Sequence, residues 1–206
     1  MNAIAKFGGL DRLEAMAQGF LPLGAAVRML DLRGTVPKAT PGEQAAVRHA
    51  VAKRQHEFAG GRAAARNAMA ALGLPPGEIL QQADRAPQWP SGVVGSISHC
   101  DTACVSVVAR VPDMVTIGID IEEATPLDKA LLTLICTPKE HDWLDRQTAQ
   151  ERLILAKLIF SAKEAAYKCQ YPLSRDMFGF DGFDLDIDTQ VITHPLLRGL
   201  LISESM

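Results

Sequence analysis

The chain has no apolar run near the ~20 residues that cross a bilayer, and no long apolar segment follows the opening Met1-Asn2-Ala3-Ile4-Ala5-Lys6. A membrane-spanning protein is therefore not expected, and no secretory signal is apparent. Cysteine is scarce: Cys100, Cys104, Cys136 and Cys169 are the four in 206 residues. That excludes a disulfide-stapled secreted scaffold and agrees with reduced thiols in a cytoplasm. His99, Cys100 and Cys104 lie close together, but no fourth ligand stands at a familiar zinc spacing. Charge of one sign is missing too. Twenty-one basic residues against 24 acidic ones leave a net charge of -3, which argues against a general nucleic-acid binder. Low-complexity segments and strict short repeats are absent.

What remains is an ordinary globular composition, 48% hydrophobic and 22% charged, long enough for a substantial core. Residues 1 to 42 carry no clear period and read as short strands and loops. Residues 42 to 72 read as helix, with Gly60-Gly61 expected to divide or loosen it, Gly73 as its C-cap and Pro75-Pro76 as the stop. Arg54, Arg62 and Arg66 recur at spacings of eight and four, on one face of that helix. A solvated charged face and a grip on an anion both fit that spacing. Residues 77 to 92 read as a loop carrying Arg85, Trp89 and two prolines. Residues 93 to 98 and 103 to 109 read as a hairpin with Ser98 and His99 at its end. Thr137-Pro138-Lys139-Glu140 is a capping box that opens a helix to about Arg146. A longer helix covers 149 to 170, ended by Pro172, and two late strands are expected at 183–187 and 190–193. Helix followed by strands thus occurs in each half.

The densest chemistry lies in Val115-Thr116-Ile117-Gly118-Ile119-Asp120-Ile121-Glu122. Its strict alternation predicts a half-buried strand. Asp120 and Glu122 share the non-apolar face, roughly 7 Å apart. Two carboxylates that close repel each other unless a positive charge intervenes, and a hard divalent cation takes oxygen ligands. On the long helix, Lys157, Ser161, Glu164 and Lys168 form a polar stripe. Carboxylates, lysines and a cation are what a phosphate or pyrophosphate site needs. An ion-paired solvent face would give the same stripe.

Read together, the segments Phe58-Ala59-Gly60-Gly61-Arg62, Trp89-Pro90, Gly95-Ser96-Ile97-Ser98-His99-Cys100, Ile117 to Glu122, and Phe160-Ser161-Ala162-Lys163-Glu164-Ala165-Ala166-Tyr167-Lys168 resemble the 4'-phosphopantetheinyl transferases of the surfactin- and enterobactin-synthase type. The resemblance covers about residues 47 to 188. It implies an α+β fold with a pseudo-twofold duplication, residues 1–112 and 113–206 forming two similar halves of a monomer with coenzyme A in the cleft between them. It implies transfer of the phosphopantetheine arm of coenzyme A to a serine of an apo acyl or peptidyl carrier protein, releasing adenosine 3',5'-bisphosphate. Siderophore synthesis (enterobactin is one example) or other nonribosomal peptide or polyketide synthesis is the implied setting. Magnesium, replaceable by manganese, is the implied cofactor. Asp120, Glu122 and Glu164 match the family's metal ligands. Glu164 also matches its general base, acting directly or through a water, and Lys168 a contact to the pyrophosphate. Ser98, His99, Arg54 and Arg62 match positions on the coenzyme A phosphates, and Arg85 lies where the family lines the nucleotide pocket. Lys163 points about 100° away from Glu164 on the helix and ranks below Lys168.

Two alternatives share these residues. A non-catalytic module binding coenzyme A or a carrier would keep the fold without needing the full acid set. A magnesium-dependent phosphohydrolase would use water in place of the serine. Carrier-docking candidates lie between Ala124 and Pro138, among them Leu127, Leu131, Leu132 and Leu134, which fit a core equally well. Relatives continue past the late strands with a further apolar strand pair; here only Leu200 to Ile202 offers a short strand, so a trimmed second half or an incomplete chain is the expectation.

Overall fold

The computed structural model describes residues 9–187 and the backbone of 201–202. Its centre is an antiparallel three-stranded sheet of order β1-β5-β4: β1 (Ala25–Asp31), β4 (Val93–His99) and β5 (Ala103–Arg110). The middle strand β5 is nearly all apolar, and all but its last residue is buried. A strand covered on both faces needs that composition. The β4–β5 hairpin pairs His99 with Cys104 across the 100–102 turn, so Ser98 and His99 stand at its end as expected.

Helix α1 (Leu10–Gly19) and strand β1 occupy part of the segment that sequence periodicity leaves irregular. Strand β1 is short, and its Ala-Ala-Val start reads as neither period. What makes it a strand is seven-residue pairing with β5, from Ala25↔Ala109 to Asp31↔Ala103. The 42–72 helix is two helices, but the break is not at the glycines. A short α2 (Pro41–Val47), opened by a Thr40/Glu43 capping box, is followed by α3 (Ala52–Ala71). Gly60 and Gly61 lie inside α3 without interrupting it. A Cβ at Gly60 would come within 2.6 Å of Leu32 Cδ2, and one at Gly61 within 2.8 Å of Ile97 Cγ2. The pair lets the helix approach the sheet closely, an advantage that outweighs its low helix propensity. Ala65, Ala68 and Met69 of α3 pack with Ala26, Val93 and Val108 of the sheet.

Two two-residue strands, β2 (Leu80–Gln81) and β3 (Pro87–Gln88), turn the expected 77–92 loop into a small hairpin with Arg85 in the left-handed region at its tip (φ 72°). Beyond the sheet, the 115–122 strand is reduced to β6 (Gly118–Ile119), which pairs with β7 (Leu201–Ile202). Ile117 and Ile119 are buried against Val27, Val105 and Val107, whereas Val115 is exposed. The other side is not a solvent face either: Thr116 is buried and donates to the Cys169 carbonyl at 2.6 Å. A 3-10 turn (Lys129–Leu131), α4 (Leu132–Ile135) and α5 (Pro138–Leu144) lead to the long α6 (Ala149–Ser174). Pro172 lies inside α6, which ends two residues later at Ser174 and is capped by a left-handed Arg175. Residues 183–187 form no strand; the 190–193 strand falls outside the described residues. No helix among the described residues is long and apolar enough to cross a membrane.

Candidate active site

A cleft of about 740 Å³ opens between the C-terminal end of β4, one face of α3, the β2–β3 hairpin and one face of α6. Arg54, Arg62, Arg85, Ser98, His99, Asp120, Glu122, Glu164 and Lys168 all line it. Sequence separations of up to 114 residues are thereby closed into one space.

Asp120 follows β6 directly and is buried at 5% exposure. Its Oδ1 accepts from Ser98 Oγ at 2.6 Å and Lys168 Nζ at 2.5 Å, and its Oδ2 accepts from Ser161 Oγ at 2.8 Å. A buried carboxylate needs such partners, and here they come from β4 and from two turns of α6. Ser96 fixes the strand beneath, its Oγ accepting from the Ile119 N–H at 3.2 Å. Glu122 is bonded to Lys157 Nζ at 3.2 Å. Glu164 lies 4.0 Å from Lys168 Nζ. Burial pushes the Glu164 carboxyl above the usual carboxylate range; Lys168 opposes the rise, and Asp120 and Glu122 add to it. Glu122 is likewise raised by burial, pulled back by Lys157 and raised again by Asp120. The three acids therefore repel one another, and lysines supply the compensating charge.

At the other end of the cleft, Arg54 Nη1 donates to His99 Nε2 at 2.8 Å. A guanidinium only donates, so Nε2 is the unprotonated nitrogen of a neutral ring. Burial lowers the His99 pKa; Glu57 opposes this, and Arg54 and Lys168 reinforce it. Arg62 is more committed than its spacing suggests. It is buried, its Nε donates to the Ile79 carbonyl at 2.7 Å, and its guanidinium lies 4.3 Å over the Phe58 ring. Burial brings its pKa down to about 10, with Glu43 opposing and Arg54 and Arg66 adding, so it stays charged at neutral pH. Arg66 leaves the set: it is bound to Glu43 at 2.6 Å and does not line the cleft. Lys163 faces away, fully buried on Glu140 at 2.7 Å and on the Ile135 carbonyl at 2.9 Å.

Sequence reasoning gave no role to Ser161 and Lys157, although both belong to the polar stripe on α6. Glu57, 3.7 Å from Arg54 and 3.8 Å from His99, was signalled only by its i,i+3 spacing from Arg54. The Asp84 carboxylate, bonded to Tyr171 Oη at 2.8 Å and Arg175 Nη1 at 2.9 Å, joins the hairpin to the end of α6, and no local pattern marks it.

Among the described residues no set of three or more His, Cys, Asp or Glu side chains is arranged to hold a metal ion as they stand. The donor chemistry nevertheless fits a hard divalent cation. Asp120, Glu122 and Glu164 are all oxygen donors, they share one cleft, and their mutual repulsion is relieved by added positive charge. Lys168 and Lys157 now occupy two of the three carboxylates.

Residues 42–109 match the 4'-phosphopantetheinyl transferase N-terminal domain, and residues 116–200 match the 4'-phosphopantetheinyl transferase superfamily. The chain is 43% identical over 149 residues to the 4'-phosphopantetheinyl transferase Svp of Streptomyces mobaraensis, covering 72% of this chain and 61% of that protein. It is 36% identical over 149 residues to the 4'-phosphopantetheinyl transferase PptT of Mycobacterium tuberculosis, covering 72% and 65%. To enterobactin synthase component D of Escherichia coli it is 42% identical over 126 residues, covering 60% and 58%. The chain spans less than two thirds of the length of these relatives. Both matched segments contribute to the cleft, the first through Arg54, Arg62, Ser98 and His99 and the second through Asp120, Glu122, Glu164 and Lys168. The chain belongs to the 4'-phosphopantetheinyl transferase superfamily.

Proposed function

We propose that this protein transfers the 4'-phosphopantetheine arm of coenzyme A to a serine of an apo acyl or peptidyl carrier protein, releasing adenosine 3',5'-bisphosphate. The observation that carries the reading is the single cleft that gathers three carboxylates and Lys168 at one end and Arg54 with His99 at the other. Two adjoining halves, residues 1–112 and 113–206, would face that cleft as a pseudo-twofold monomer; the adjoining family matches support this division. Coenzyme A fits the polarity of the space, its 3'-phosphate toward Arg54 and His99 and its pyrophosphate toward Lys168. Arg62 presents the remaining nitrogens of its fork to the same phosphate. Arg85 borders the nucleotide from the hairpin tip.

Asp120, Glu122 and Glu164 would hold magnesium, or manganese in its place. When bound, the cation neutralises pyrophosphate charge. Glu164 accepts the proton of the carrier serine as the serine oxygen bonds to phosphorus. A carboxyl held above its ordinary pKa is, once ionised, a stronger base than a free one. Lys168 steadies the oxygen that leaves with the adenosine bisphosphate as its bond to phosphorus breaks. Ser98 and Ser161 hold Asp120 in place for this work.

Of the leucines proposed as a carrier surface, Leu127 and Leu132 are buried with Ile135, Leu144 and Ile159, whereas Leu131 and Leu134 are exposed at 40% and 63%. Leu131 and Leu134 remain candidates for carrier docking. A cytoplasmic client in siderophore or other nonribosomal peptide or polyketide synthesis is part of the reading, supported by the likeness to enterobactin synthase component D.

The test is intact mass of an apo carrier incubated with this chain, coenzyme A and magnesium, with and without a chelator. A phosphopantetheine-sized gain that the chelator blocks is expected. Coenzyme A cleavage with no gain on the carrier would replace transfer by hydrolysis.

A further inference from the structure

Lys157 stands two turns before Glu164 on α6, and its ammonium lies 3.2 Å from Glu122 Oε2 and 5.8 Å from the centre of the Phe160 ring. The pair is mostly covered, with 21% and 24% of the two side chains exposed. The two lysines on the acid cluster differ in one respect. Lys168 lines the cleft, where a phosphate can take over its charge. Lys157 does not line the cleft; with Glu122 and Glu123 it lines a separate side cavity of about 40 Å³. Glu122 is thus the shared wall, open to the cleft on one side and to Lys157 on the other.

A cation on Glu122 and the ammonium of Lys157 draw on the same negative charge, and they repel each other at this range. The side cavity provides a second anion for the ammonium, because Glu123, which holds Thr102 Oγ1 and the Thr102 N–H, also borders it. We propose that Lys157 is a displaceable counterion. It neutralises Glu122 in the cation-free protein, and it shifts toward Glu123 when a divalent cation takes Glu122. Lys157 thereby weakens cation binding to the free protein without being a ligand or touching substrate. The inference rests on the proposed reading of Asp120, Glu122 and Glu164 as cation ligands.

The test is a manganese titration of the full chain by electron paramagnetic resonance, with no nucleotide present. Wild type, Lys157→Met, Lys157→Arg and Asp120→Asn are compared. Methionine keeps the packing of the stem and removes the charge. Lys157→Met should bind manganese roughly two- to fivefold more tightly, as expected for loss of a partly screened pair. Added salt should narrow the difference. Lys157→Arg should stay near wild type, and Asp120→Asn should bind weakly. If Lys157→Met binds as wild type or less tightly while Asp120→Asn loses binding, the counterion role is overturned and the ligand assignment stands. If Asp120→Asn binds as wild type, the ligand assignment falls and takes the counterion role with it. Circular dichroism checks each fold, and Lys157→Gln replaces the methionine variant in the comparison if that one is unfolded.

Discussion

Glu164 and Lys168 sit one turn apart on α6, yet they act on different parts of the proposed reaction. Glu164→Gln keeps the shape of the side chain and removes its basicity. Carrier modification followed by mass spectrometry should slow by about 10²- to 10⁴-fold, the range for loss of a general base. Coenzyme A affinity by calorimetry should change far less; an equal loss in both would remove Glu164 from proton transfer. Arg54 and Arg62 separate in a similar way. Arg54 is half exposed and holds only His99 and Glu57, so Arg54→Ala should weaken coenzyme A binding and leave thermal stability nearly unchanged. Arg62→Ala should weaken binding and also lower stability by about 1–3 kcal/mol, because it orphans the buried Ile79 carbonyl and empties the space over Phe58. Dephospho-coenzyme A, which lacks the 3'-phosphate, should show a smaller binding loss than coenzyme A for both variants; equal losses would argue against a 3'-phosphate contact. Helical spacing puts both arginines on one face of α3. It does not tell which of them the protein has already engaged.

At the scale of elements, the site depends on how closely α6 approaches β6. A Cβ on Gly118 would fall on the Ala165 carbonyl and lie within 2.7 Å of the Cys169 nitrogen. Backbone cannot yield as a flexible side chain can. Gly118→Ala should therefore cost about 1–3 kcal/mol or more in denaturant unfolding, and it should slow transfer by shifting Asp120 relative to Glu164. Normal stability would mean that the two elements are not in this contact. Gly60→Ala meets the end of the Leu32 side chain instead, and it should be tolerated better. Both glycines were visible in the sequence, but their meaning was not. A Gly-Gly pair within an alanine-rich helix reads as a joint until the sheet it packs against is known. The strand around Asp120 shows the reverse case: alternation implied eight residues of ladder, and among the described residues two of them pair, while Asp120 bonds through its side chain.

The molecule as a whole is held partly by Glu43, whose side chain is fully buried between three elements. Its carboxylate accepts from Arg66 of α3 and from the N–H groups of Thr40 and Ile79, at 2.6–3.0 Å. Burial alone would raise its pKa; the Ile79 and Thr40 N–H groups and Arg66 outweigh that and hold it below the ordinary value. A carboxyl with a lowered folded-state pKa stabilises fully above its unfolded pKa, and that contribution is lost as pH falls through the folded value. Glu43→Gln should cost about 3–5 kcal/mol at neutral pH, the usual cost of breaking a buried pair. Its unfolding free energy should also fall less steeply than that of wild type as pH drops through the carboxylate range. Parallel curves would take Glu43 out of the acid sensitivity. The sequence by itself determined the α+β character, the capping box at Thr137, the β4–β5 hairpin and the identity of the nine cleft residues. These are local signals, set by spacing, capping chemistry and an ordered run of motifs. Only the tertiary structure decided that Ser98 and Ser161 hold Asp120, that Arg66 and Lys163 are engaged elsewhere, that Lys157 covers Glu122, and where in the first 42 residues β1 lies. Each of these depends on a partner between 22 and 84 residues away, and pairing across such distances is settled by which buried groups find each other when the sheet and helices pack.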